Sequence, residues 1–191
     1  MFILKSRSPR RIEILKTLGI QFEIQPSDID EREIPGELPL SYLERIAKAK
    51  IGSPGSLDLN SSYLSCDTIV VQNNRILHKP ENFEDAVRIL SNLNGKSHSV
   101  FSGACLYSVG QSDFFYEETE IAFKKWSISE IESYIHRAQP FDKAGSYGIQ
   151  DSGGPVREWR GRYHNVVGFP LFSFLGRSKI WKEYWGNENS P

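Results

Sequence analysis

Phe2-Ile3-Leu4-Lys5-Ser6-Arg7-Ser8-Pro9-Arg10-Arg11 joins an apolar run, a polar loop and a helix start within a few residues. Ile12, Leu15 and Leu18 continue it as a helical stripe that Gly19 closes. Ser8 suits the N-cap, and Pro9 suits the first helical position, where a missing N–H costs nothing. Gly19 suits the stop. The charge runs the other way. A helix start carries orphan N–H donors and the positive end of a dipole, so acids are preferred in its first turn. Here Arg10 and Arg11 occupy that turn and Arg7 precedes it. Such a cluster either gathers an anion, phosphate being the obvious candidate, or splays into water. These residues alone leave both readings standing.

The rest of the chain narrows the setting. Its 191 residues suit one domain of two lobes, large enough to bury a core. With 39% hydrophobic and 25% charged residues the composition is that of a globular protein. A net charge of −1 gives no bulk attraction to nucleic acid or to anionic membrane, so neither is an expected partner. Lys5, Arg7, Arg10 and Arg11 interrupt any early apolar run, so no signal peptide is expected, and no run is long enough to span a bilayer. Cys66 and Cys105 lack zinc spacing and read as buried free thiols in a reducing cytoplasm. The four histidines, His78, His98, His136 and His164, do not cluster and read as surface or capping residues.

Gln21-Phe22-Glu23-Ile24 alternates like a strand, and an acidic stretch follows from Asp28 through Glu31 to Glu33. That stretch is either a solvated loop or a source of hard oxygen ligands for a divalent cation. Ser41 to Glu44 reads as a capping box opening a helix. On its stripe of Leu43, Ile46 and Ala47, position 50 is lysine; Lys50 either snorkels to water or enters a polar pocket. Tyr63 to Val71 is an apolar, β-branched interior strand interrupted by Asp67. A carboxylate in a buried strand is costly unless paired or metal-bound, which favours a functional Asp67 over a strand-end acid.

Further on, a helix runs from Phe83 to Leu93 behind the cap Asn82, with Ala86, Val87, Leu90 and Leu93 inward. Long strands cover Ser97 to Tyr107 and Phe114 to Trp126, turning at Gly110 to Asp113. A second capping box, Ser127 to Glu130, opens a helix to about Arg137 with Ile128, Ile131 and Ile135 inward. Asp142 to Gln150 is a glycine-bearing loop, Val156 to Trp159 a strand, Gly161-Arg162-Tyr163 a turn, and a last helix starts at Leu171. The cations Arg10, Arg11, Lys50, Lys79 and Lys143 sit beside strand ends, caps or glycines, and with Asp67 and Glu31 they suit a metal-bound triphosphate. No Gly-x-Ser-x-Gly nucleophile motif competes.

Five ordered blocks give these residues a relative. They are Ser6 to Arg11, Asp28 to Glu31, Asp67-Thr68-Ile69-Val70, Lys79-Pro80, and Asp142 to Gln150 followed by Asn165 to Leu171. Over about residues 2–177 the chain resembles the Maf family of nucleoside triphosphate pyrophosphatases. The resemblance implies an α/β fold, Maf or inosine-triphosphatase-like: a mixed, twisted central sheet with flanking helices, and two lobes around a cleft. One domain is expected over residues 1–185, and the polar tail over 186–191 is expected to fray. The resemblance implies hydrolysis of a triphosphate to monophosphate and pyrophosphate with Mg²⁺ or Mn²⁺, Asp67 accepting the proton from water. Ser6, Arg11, Lys50 and Lys79 would line the phosphates, Glu31 and Asp67 the metal, and Arg10, Thr68 and Gln150 would sort substrates toward dTTP and UTP. Lys5, Arg7, Cys66, Arg162 and Phe169 depart from the family's usual residues without replacing one assigned to chemistry. Purine or methylated-GTP hydrolysis and a non-catalytic nucleotide-binding regulator of cell division are the rival expectations; a homodimer is left open.

Overall fold

Three parallel strands set the frame. The computed structural model describes residues 1–186; residues 187–191, most of the expected tail, lie outside the described residues. Strand β1 (Phe2–Leu4) pairs in parallel with β2 (Glu23–Ile24) on one side and β3 (Ser62–Gln72) on the other. β3 also pairs antiparallel with β4 (Arg75–Leu77). The sheet continues through β5 (Ser97–Ser108), β6 (Gln111–Phe123) and β7 (Val156–Arg160), in the order β2-β1-β3-β5-β6-β7. This is the mixed, helix-flanked α/β sheet the sequence predicts.

The chain divides into two units, each with its own core. The first comprises residues 1–67, 102–117 and 168 onward. It holds α1 (Pro9–Thr17), α2 (Pro39–Ile51), α6 (Leu171–Leu175) and α7 (Ser178–Trp181), while α5 (Tyr163–Val167) lies just before the boundary. Strand residues here are buried on both faces because their side chains alternate between two clusters. Phe2, Leu4, Leu64, Cys66, Ala104 and Leu106 pack with Leu15, Phe169, Phe174 and Trp181. Ile3, Tyr63, Cys105 and Tyr107 face the other way, onto Ala47 and Ile51 of α2. Gly103 lets α2 come close: a Cβ there would lie 2.8 Å from Leu43 Cγ. The C-terminal segment is fastened by Arg177, which pairs with Asp113 and stacks 3.9 Å over Phe115. Gly186, expected to begin a frayed tail, donates its N–H to Gly19 O.

The second unit, residues 68–101 and 118–167, packs α3 (Phe83–Leu93) and α4 (Ile128–Ala138) on Val70, Val100, Ile121 and Phe123. Asn82 caps α3 through the Asp85 N–H, and both halves of the Ser127–Glu130 capping box form.

Several local expectations need correcting. Ser41 does not cap α2. The helix starts three residues earlier, at Pro39 behind Leu38, because Leu38 is held extended before the proline and proline fits the first helical position. Ile128, placed inward, is 54% exposed, and Tyr134 takes the inward position. In α3 Ile89 is buried as well, beside Val87, which is partly buried against the same core. β2 keeps only two of the four residues expected, β6 ends at Phe123, and Tyr163, expected in a turn, opens the short helix Tyr163–Val167.

His98 is the largest correction. It is 5% exposed, its Nε2 lies 2.7 Å from the Tyr147 hydroxyl, and its ring stands edge-on to Phe123 at 4.8 Å. It shares the inward parity of Val100 on β5, so strand alternation was the signal. Burial lowers its pKa to about 4 from an ordinary 6.5. The unfolded chain therefore binds a proton between about pH 6.5 and 4 that the folded protein refuses, and stability falls as pH drops through that window. Between pH 7 and 5 the loss is about 2 kcal/mol. Thermal melts at the two pH values should show it, and His98→Gln should remove most of the difference.

Candidate active site

A chain that lays β2 on one side of β1 and then crosses to place β3 on the other creates a switch point at the carboxyl ends of its parallel strands. Ligands of open α/β sheets bind there. Past that edge the pairing continues briefly, through Lys5 N to Leu64 O and Gln25 N to Leu4 O. β1 then becomes the Ser6–Ser8 loop, while β3 runs on to Asp67.

Arg11 stitches this edge together. Its Nη1 donates to Ser6 Oγ (3.0 Å) and to Cys66 O (2.8 Å), and its Nε donates to Gly168 O (2.8 Å). Ser6 Oγ also accepts the Ser8 N–H, while Ser8 stands at the N-cap position without making a side-chain cap bond. The guanidinium thus sits one peptide unit from Asp67 and holds the loop ahead of α1. Arg10 beside it is half-buried, and its Nε is buried without a hydrogen-bond partner, as is Ser27 Oγ. An orphaned buried donor invites an acceptor from a ligand.

Lys50 reaches the same strand from α2. Its Nζ lies 2.6 Å from Asp67 Oδ1 and 2.8 Å from Glu31 Oε1. Its side chain is 12% exposed and that of Asp67 14%, so the lysine enters a polar pocket rather than snorkelling to water. Burial and the nearby Asp67 and Glu31 carboxylates push the Tyr42 phenol far up. Burial also pushes the Cys66 thiol up to about 11, so the neighbour of Asp67 is no thiolate nucleophile. Ser6, Arg11, Lys50, Glu31 and Asp67 are therefore gathered in the first unit.

Thr68, Lys79 and Gln150 belong to the second unit. Lys79 follows His78, whose carbonyl accepts the Gly145 N–H at 3.2 Å. Gly145 has φ +72°, and a Cβ there would lie 3.1 Å from both Val70 methyls, so only glycine fits. Tyr147 is buried against His98, and Asp151 accepts from Gly148 N (2.9 Å) and Tyr134 OH (2.5 Å). The loop is pinned on both sides of Gln150, which stays exposed, as does Lys79. Lys143 pairs with its neighbour Asp142.

Among the described residues no three His, Cys, Asp or Glu side chains form a metal-binding group. Asp67 and Glu31 nevertheless converge on one cation, Lys50. Two carboxylates, completed by phosphate oxygens, suit the octahedral, oxygen-only demands of Mg²⁺ and also Mn²⁺.

Cations beside paired acids at the carboxyl edge of parallel strands suit a phosphate-bearing ligand of an α/β enzyme. The comparisons fix the family: the Maf-like protein model matches residues 1–177, and the chain belongs to that family. It is 54% identical over 185 residues to the dTTP/UTP pyrophosphatase of Leptospira biflexa, covering 97% of this chain and 96% of that protein. The dTTP/UTP pyrophosphatase of Leptospira borgpetersenii is 46% identical, over 96% and 98% of the two chains. That of Pseudoalteromonas atlantica is 43% identical, over 90% and 92%.

Proposed function

We propose that this protein hydrolyses dTTP and UTP to the monophosphate and pyrophosphate. The observation that carries this reading is the Asp67–Lys50–Glu31 cluster beside the Arg11-braced loop at the switch point. Water attacks the α-phosphorus, Asp67 takes its proton, and pyrophosphate leaves. Lys50 fixes the Asp67 carboxylate through a charge-assisted bond. Arg11 acts by holding Ser6 and its loop ready for the phosphates, and its positive charge attracts them. Lys79 adds a further phosphate contact, and Arg10, Thr68 and Gln150 sort the base and sugar. Glu31 and Asp67 would hold a divalent cation, Mg²⁺ or Mn²⁺, which neutralises phosphate charge when bound.

Residues 1–185 act as one catalytic domain in this reading, in the cytoplasm; no described helix is long and apolar enough to cross a membrane. The test is pyrophosphate release from dTTP, UTP, dGTP, GTP and methylated GTP with Mg²⁺ or Mn²⁺. The pyrimidine triphosphates should be turned over at least tenfold faster, since one well-placed polar contact is worth about that much. Preference for guanosine substrates would overturn the specificity, and saturable binding without turnover in either metal would make the protein a nucleotide-binding regulator.

A further inference from the structure

The acidic stretch that carries Glu31 has no regular secondary structure from Gln25 to Ile34. A side chain on such a segment is poorly aimed unless something outside fixes the backbone. Helix α2 does so at two successive carbonyls. Tyr42 OH donates to Glu31 O (2.9 Å), and Arg45 Nη2 donates to Arg32 O (3.0 Å). The same guanidinium grips Glu37 at 2.7 and 2.6 Å, holding the far end of the stretch, and lies 5.4 Å over the Tyr42 ring. The Glu37 carboxylate also accepts the Ile34 N–H at 3.4 Å. Two turns further along α2, Lys50 receives the Glu31 side chain itself. Tyr42 is buried, and Glu37 is largely so.

From this arrangement we infer that Tyr42 and Arg45 are positioning residues, which set Glu31 against Lys50 and Asp67 by clamping its own carbonyl and the backbone that follows it. The inference rests on the proposed function for what Glu31 does, but the clamp is read directly. Arg45 is suited to the task because its planar fork serves a carboxylate and a carbonyl together, which a lysine ammonium on a flexible stem does less well.

The test uses Tyr42→Phe, Arg45→Met and Arg45→Lys in the full chain, with three readouts. Amide exchange across residues 29–37 should quicken at least tenfold in Tyr42→Phe and Arg45→Met, while that of α4 stays unchanged. Mn²⁺ alone, followed by its paramagnetic resonance signal, should bind roughly 10–100-fold more weakly, the usual cost of losing an outer partner of a metal ligand. kcat should fall by a similar factor with nucleotide KM within about threefold, and Arg45→Lys should lie between Arg45→Met and the wild type. Faster exchange with unchanged kcat and Mn²⁺ affinity would reduce the clamp to a structural one and overturn the inference. So would unchanged exchange. If the wild type releases no pyrophosphate yet the variants lose Mn²⁺ affinity, the positioning role stands and the hydrolytic reading falls.

Discussion

Asp67→Asn is expected to lower kcat for pyrophosphate release by roughly 10³-fold or more while leaving the protein folded. A positioned base contributes about 10²–10⁴ in rate, and an amide cannot take the proton. The variant is informative because its structural cost should be small. Asn keeps an oxygen that Lys50 Nζ, now 2.6 Å from Asp67 Oδ1, can still donate to. Lys50 also retains Glu31 at 2.8 Å, so it is not left as a buried charge without a counterion. Exchanging a charged for a neutral acceptor in a partly buried bond should cost about 1 kcal/mol. Nucleotide KM should move little. A rate within tenfold of the wild type would remove Asp67 from its role as base, whatever happened to the melting temperature.

The framework of this site is legible in local patterns because those patterns are themselves local. Pro9 at a helix start, the cap at Asn82 and the Ser127–Glu130 box all depend on residues within one turn, and each forms where its spacing predicts. The oddities are visible too: an acid inside an apolar strand at Asp67, a lysine on an apolar stripe at Lys50. What the spacing does not carry is where Lys50 goes. Snorkelling and burial are equally consistent with its place on α2, and the choice is made by Asp67 and Glu31, 17 residues ahead and 19 behind. Arg11 is a similar case. Its sequence position suggests a ligand for an anion, yet partners 55 and 157 residues away, Cys66 and Gly168, take its N–H groups. The Ser41 box fails for a different reason. Two legitimate start signals lie two residues apart, and Pro39 outcompetes Ser41 because Leu38 is already extended. Tyr42 and Arg45 carry no motif at all; they are found only once the loop's carbonyls are seen against α2.

Arg11→Met should have the second largest effect, and on two separable quantities. β1 stops pairing with β3 at Leu64, and two residues on it is Arg11 that satisfies the Cys66 carbonyl; the same side chain satisfies Gly168 O and anchors Ser6 Oγ. Methionine fills much of the volume but offers no donor, so two carbonyls beside the buried Cys66 and Phe169 lose their partner. At about 1–3 kcal/mol for each buried group left unsatisfied, the loss should be roughly 2–6 kcal/mol. For a chain of this size that lowers Tm by roughly 4–24 °C. Assayed well below that Tm, the variant should also show a KM for dTTP raised about 10–100-fold, because the Ser6 loop is no longer held and a cation is gone from beside the phosphates. Arg11→Lys separates the two. It restores the charge but not the fork, so it should recover part of the KM while leaving most of the stability loss. A normal KM in Arg11→Met below its melting range would make Arg11 a brace for the fold alone and would remove it from phosphate binding.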